Sequence, residues 1–142
     1  MITVTRRIEF DAAHRLINHE SKCKMLHGHR YALEATFVAN HLDDLGRVID
    51  FGVIRELLGG WIDEHFDHNT ILSIKDKDLG DKITTVTGQK IYYIDENPTA
   101  ENIAKYLIEK ICPKIFAGKN VKCIAIKLYE TPNCSVIISN QT

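Results

Sequence analysis

The chain has 142 residues, 44 % of them hydrophobic and 26 % charged, which suits one globular domain over residues 1–142 with a core of its own. A formal net charge of -1 and a pI near 6.6 give no basic footprint for nucleic acid or an anionic membrane surface. The opening Met1-Ile2-Thr3-Val4-Thr5-Arg6-Arg7 has no apolar run long enough for a signal peptide or a membrane span, so a cytoplasmic protein is expected.

Residues 2–13 alternate as a strand, with Ile2, Val4, Ile8, Phe10 and Ala12 on one face, interrupted by Arg6, and His14 continuing that apolar side. A histidine there is either a satisfied core residue or a ligand. The next run reads Cys23-Lys24-Met25-Leu26-His27-Gly28-His29. In an extended chain His27 and His29 point the same way and can chelate one ion, and His14 would supply a third imidazole. Three neutral nitrogens give zinc a tetrahedral site with one vertex left for water or substrate. Cys23 reads two ways. As a fourth ligand it would close a structural site; between Lys22 and Lys24, positive charge would instead favour its reactive thiolate.

From His29 to Ala39 the chain alternates again as a strand, and Asp50 then caps a helix over about 51–65, although Gly59-Gly60 weakens its middle. Just beyond it, Asp67 beside His68 is either a polar cap on a helix end or an acid–base pair, and a pair of adjacent residues needs a turn to converge. Residues 73–97 mix Lys, Asp, Gly and Thr around one strand-like run, Lys90 to Ile94, and are expected to form a polar excursion or hairpin. Pro98-Thr99 opens a second helix that Pro113, or at the latest Gly118, stops. Two strands finish the chain. In the first, Glu130 ends the apolar face of Ile124, Ile126 and Leu128, either as a rim salt bridge or as a functional carboxylate. Four cysteines, Cys23, Cys112, Cys123 and Cys134, are expected to be reduced, the last three as small hydrophobes. The expected class is α+β, in the order β-β-α-α-β-β.

Six motifs in succession resemble the group of 6-pyruvoyl-tetrahydropterin and 6-carboxy-tetrahydropterin synthases: Phe10-Asp11-Ala12-Ala13-His14-Arg15-Leu16, Leu26-His27-Gly28-His29, Val48-Ile49-Asp50-Phe51, Asp67-His68, Pro98-Thr99-Ala100-Glu101-Asn102 and Glu130-Thr131. That resemblance implies the tunnelling fold, a four-stranded antiparallel sheet with two helices on one face, joined into a barrel by oligomerisation, as a homohexamer built from two trimers with active sites between subunits. It implies His14, His27 and His29 as zinc ligands, Cys23 as the catalytic thiol, Asp67 and His68 as the acid–base pair, and Glu130 as the carboxylate holding the pterin ring. The three residues between Cys23 and His27 resemble the bacterial 6-carboxy branch of queuosine biosynthesis. This implies a lyase that converts 7,8-dihydroneopterin triphosphate to 6-carboxy-5,6,7,8-tetrahydropterin, acetaldehyde and triphosphate. The pyruvoyl activity, which stops at triphosphate elimination, and a non-catalytic zinc-stabilised pterin-binding or assembly protein are the alternatives. Arg15, Lys22 and Lys24 are all candidates for triphosphate contacts, and Asn69 stands where a second histidine might follow the pair.

Overall fold

The computed structural model describes residues 1–18 and 20–140, apart from the side chain of Cys23. Two long strands, β1 (Val4–His14) and β2 (His27–Val38), form an antiparallel ribbon that carries most of the candidate residues. Their register pairs Ile8 with Leu33, Phe10 with Tyr31, Ala12 with His29 and His14 with His27. Cross-strand partners share a face, so the apolar side of the ribbon runs from Leu33 to the histidines without a break. Its opposite side carries Arg7 against Glu34 and Asp11 against Arg30.

Helix α1 covers residues 51–65, with a wider π turn, Arg55–Gly59, between α-helical segments. Asp50 caps it as the sequence predicts, its carboxylate accepting from the Gly52 N–H at 2.7 Å. Helix α2 (Lys77–Thr87) follows, and helix α3 covers residues 100–115 under a Thr99 hydroxyl cap. Pro113 does not end α3: it sits in the first turn of the segment after a π turn, Leu107–Ile111, and the helix continues past it to Ile115. Ile54, Leu58, Ile62 and Phe66 after α1, with Ile103, Leu107, Ile108 and Ile111 of α3, cover the apolar face of the sheet. Each such side chain contributes about 1.5–3 kcal/mol by leaving water.

The sheet has six strands, not four, in the order β4-β3-β1-β2-β5-β6, with β3 (Asn69–Ser73), β4 (Tyr92–Ile94), β5 (Lys122–Thr131) and β6 (Cys134–Ser139). The expected antiparallel four, β1-β2-β5-β6, are present. The expected hairpin in 73–97 is not; β3 and β4 pair in parallel through α2, so this stretch is a crossover unit added to one edge. Thr70 to Ser73 of β3 are all buried, so no alternation marks it as a strand. In α2, Gly80 breaks the helical pattern because the Tyr93 hydroxyl occupies the place of a Cβ, and Gly88 ends the helix at φ +76. Arg15 grips the buried Asp76 through two hydrogen bonds of 2.8 and 2.6 Å, tying this unit to the end of β1. Of the three cysteines expected as small hydrophobes, Cys112 and Cys123 are buried but Cys134 is exposed. No described helix is long and apolar enough to cross a membrane.

Candidate active site

At the end of the apolar face of β1 and β2, His14, His27 and His29 bring their ring nitrogens together with a carboxylate oxygen of Glu130 from β5, all four atoms within 4.8 Å of one another. The sequence parity of His14 is therefore realised: it is fully buried and completes the cluster. Gly28 lets the ribbon close between the two histidines of β2, since a Cβ there would stand only 3.3 Å from the Ala12 carbonyl oxygen.

The hydrogen bonds fix which nitrogens face inward. His14 Nδ1 lies 2.7 Å from the Pro98 carbonyl oxygen, and His27 Nδ1 lies 2.7 Å from that of Met25. A carbonyl can only accept, so both Nδ1 atoms carry the proton and both Nε2 atoms present lone pairs. Those two Nε2 atoms stand 3.2 Å apart. Facing lone pairs repel unless a cation lies between them, and ligands on a tetrahedral zinc are spaced about 3.3 Å apart. His29 Nε2 is buried with no hydrogen-bond partner among the described residues, for Glu130 Oε1, 2.9 Å away, lies off the direction that a ring N–H would need. Burial holds the imidazoles of His14 and His29 below the ordinary histidine range, only partly offset by the Glu130 carboxylate. Neutral imidazoles with converging lone pairs fit a metal ion, and zinc suits the nitrogen-rich set. Burial, with the Glu130 charge added, also pushes the Tyr31 hydroxyl up, keeping it protonated against His14.

Asp67 and His68 form a second group on the other side of the ribbon. His68 takes a left-handed conformation, φ +58, at a cost of about 1 kcal/mol for a residue with a Cβ. That turn brings the adjacent side chains together, with His68 Nδ1 2.9 Å from Asp67 Oδ2. The other Asp67 oxygen accepts from the Asp11 backbone N–H at 2.9 Å, and the His68 N–H bonds the Asp11 carbonyl. Burial pushes the Asp67 carboxyl up, but the Asp11 N–H and the His68 ring outweigh it and hold it below the usual range. The hydrogen bond and charge of Asp67 push the His68 imidazole up, with Asp11 adding to this and Arg30 opposing it. His68 exposes most of its ring to solvent.

Asp11, part of the first motif, faces away from Phe10 and His14 and pairs across the ribbon with Arg30, which brings its carboxylate into this group. Asn69, where a second histidine was considered, uses its side-chain N–H groups on the carbonyls of His65 and Lys90. The catalytic thiol expected at Cys23 lies outside the described residues; the backbone of that residue is in a single 3-10 turn, Lys22–Lys24.

A family model described as 6-pyruvoyl tetrahydropterin synthase matches residues 3–141. A protein of Rickettsia conorii named 6-carboxy-5,6,7,8-tetrahydropterin synthase is 58% identical over 136 residues, covering 96% of this chain and 99% of the relative. Among solved structures, an uncharacterized protein of Wolinella succinogenes superposes with a TM-score of 0.81 at 21% identity, covering 99% of this chain and 98% of the other. The 6-pyruvoyl tetrahydropterin synthase of Caenorhabditis elegans superposes with a TM-score of 0.68 at 22% identity, over 99% and 96% of the two chains.

Proposed function

Because the chain belongs to the 6-pyruvoyl tetrahydropterin synthase family, we propose that it is a zinc-dependent lyase of queuosine biosynthesis in the cytoplasm. Its reaction converts 7,8-dihydroneopterin triphosphate and water to 6-carboxy-5,6,7,8-tetrahydropterin, acetaldehyde and triphosphate. The observation that carries this choice over the pyruvoyl activity is the 58% identity, across nearly the whole of both chains, to a relative named for the carboxy product.

His14, His27 and His29 would hold the ion, with the Pro98 and Met25 carbonyls fixing the ring orientations of His14 and His27 and burial favouring the neutral forms of His14 and His29. A zinc ion held there would supply Lewis acidity toward substrate hydroxyls and neighbouring C–H bonds and toward the negative charge that develops. Cys23, as thiolate, takes the side-chain proton. Glu130, as a carboxylate, accepts from the amino and ring N–H groups of the pterin and so turns the reacting carbon toward the thiolate. His68 returns a proton to the substrate and assists the later carbon–carbon cleavage, and Asp67 keeps its ring protonated and aimed. Ring reduction needs no external donor, since hydrogen moves from the side chain to the ring.

The sheet stands between the histidine cluster and His68, and this supports active sites shared between copies of the chain. Strand β3 covers β1 only at Ala12 to His14, which among the described residues leaves the edge from Val4 to Asp11 without a strand partner, and β6 is the opposite edge of the sheet. Two such edges can join copies into a ring, consistent with a trimer that stacks into a hexamer.

The test is to incubate zinc-loaded protein with 7,8-dihydroneopterin triphosphate and identify the pterin by mass. The carboxy product with acetaldehyde is expected; a pyruvoyl product would select the alternative enzyme, and unchanged substrate would leave a pterin-binding protein. Light scattering should give a hexamer, and an active monomer would overturn the shared site.

A further inference from the structure

We propose that Gln89, carried by the crossover unit between α2 and β4, is a positioning residue for the acid–base loop, holding the turn that aims His68; the assignment rests on the catalytic reading of His68 given above.

The turn at His68 contains no glycine and makes its left-handed bend with an ordinary side chain, so something outside the turn must hold it. Asp11 of β1 holds it from one side, donating its N–H to Asp67 and accepting from the His68 N–H, and Gln89 holds it from the neighbouring segment. Its Nε2 donates to the His68 carbonyl at 3.2 Å, and its Oε1 accepts from the Thr70 hydroxyl at 2.6 Å. The orientation of the amide is fixed by chemistry: the His68 carbonyl can only accept, so the nitrogen must face it, and the oxygen then takes the hydroxyl of buried Thr70. Gln89 is itself anchored, its N–H bonding the Thr87 hydroxyl at 3.0 Å and its carbonyl accepting from the Thr84 hydroxyl at 2.8 Å. Between His68 and Thr70 in sequence, Asn69 donates to the Lys90 carbonyl at 2.7 Å. His68 and the two residues that follow it are thereby tied to two consecutive residues of the inserted segment. That gives the segment a role, as a brace that sets where the His68 ring can reach.

The groups facing His68 are Asp67, Asp11 and Arg30, with Glu64, His65 and Lys90 along the adjoining cleft. If Gln89 holds the turn, freeing it lets the ring swing away from Asp67, the partner that does most to keep it protonated. The experiment compares zinc-loaded wild type with Gln89→Met, which removes both amide contacts without adding charge. Proton NMR titration of the His68 ring, assigned through a His68→Gln variant, is read beside steady-state kinetics with 7,8-dihydroneopterin triphosphate. The His68 midpoint should fall toward that of an ordinary histidine, and kcat should fall about 10-fold while KM and zinc per chain stay unchanged. An unmoved midpoint overturns the proposal. A lowered midpoint with unchanged kcat upholds the positioning and overturns the catalytic reading of His68. Should Gln89→Met not fold, Thr70→Val, which removes the hydroxyl that fixes the amide, is read by the same two criteria.

Discussion

The two faces of the β1–β2 ribbon treat the same side chain in opposite ways. On the core face, His14 and His29 lose water to the helices and the sheet, and burial drives their imidazoles toward the neutral form. On the outer face, His68 keeps its solvent and gains a carboxylate, which drives it toward the charged form. One ribbon thereby offers lone pairs on one side and a proton on the other. The difference lies in the environment of each ring and not in its residue type, and it is the physical ground on which the proposed roles of ligand and acid rest.

Removing the core-face ligands should have the largest effect. His27→Ala combined with His29→Ala should abolish zinc binding, by elemental analysis, and with it all turnover, while the outer-face titration of His68 stays where it was. Zinc retained at one per chain in that variant would break the assignment of this face to metal.

On the outer face, Asp67→Asn should lower turnover by about 10²- to 10⁴-fold, the usual range for disabling a positioned acid or base. The sign of the pH effect follows from the direction of the shift. A histidine whose folded pKa is raised is protonated above the ordinary 6.5, and stability or activity that needs its charge is lost as pH rises through the raised value. Without Asp67 that limb should move to lower pH, and a limb that does not move would detach it from His68. Cys23→Ala should cost turnover over a similar range while zinc remains; if zinc leaves with the thiol, Cys23 is a ligand and the scaffold reading is correct.

The two faces also differed in how far sequence alone could reveal them. His14, His27 and His29 lie on regular paired strands, where period-two parity dictates which side a residue faces, and all three were legible together. The caps at Asp50 and Thr99 were legible for a similar reason, since one side chain satisfies a nearby N–H. The outer group depends on a non-glycine turn at His68, on Asp11 from a distant strand and on Gln89 across a crossover. Of these, only Asp11 lies on a strand whose parity says which way it faces, and parity alone does not bring it to Asp67 and His68. The buried strand β3 shows no alternation, and the Gly80 that interrupts α2 has its reason in Tyr93, a contact formed only on folding. The Arg15–Asp76 pair is likewise a tertiary event that joins residues 61 apart in sequence.

Glu130 tests where the core face ends. Its oxygen lies 2.9 Å from His29 Nε2 and 3.4 Å from His14 Nε2, close enough to serve as a fourth ligand as well as a pterin anchor. Glu130→Gln keeps the shape but replaces one acceptor with a donor, so dihydropterin binding should weaken by about 2–4 kcal/mol. Zinc content, measured on the same sample, separates the roles. Unchanged zinc with weakened binding is the expected result, and lost zinc would make Glu130 part of a closed coordination sphere.

The smallest effect should come from Arg30→Ala, which sharpens the comparison by reversing its sign. Arg30 lies 3.0 Å from Asp11, and its positive charge opposes protonation of His68 while helping to hold Asp67 ionised. Its side chain is more than half exposed, so the ion pair is screened and its removal should change stability by no more than about 0.5 kcal/mol. The His68 titration should nevertheless move upward, opposite to its movement in Asp67→Asn, because one opposing charge has gone and Asp11 no longer has a cation beside it. The upward shift should fade at high salt, since an exposed charge acts through screened water. A downward shift would mean that Arg30 also holds the turn in place, and that the outer face is set by packing more than by charge.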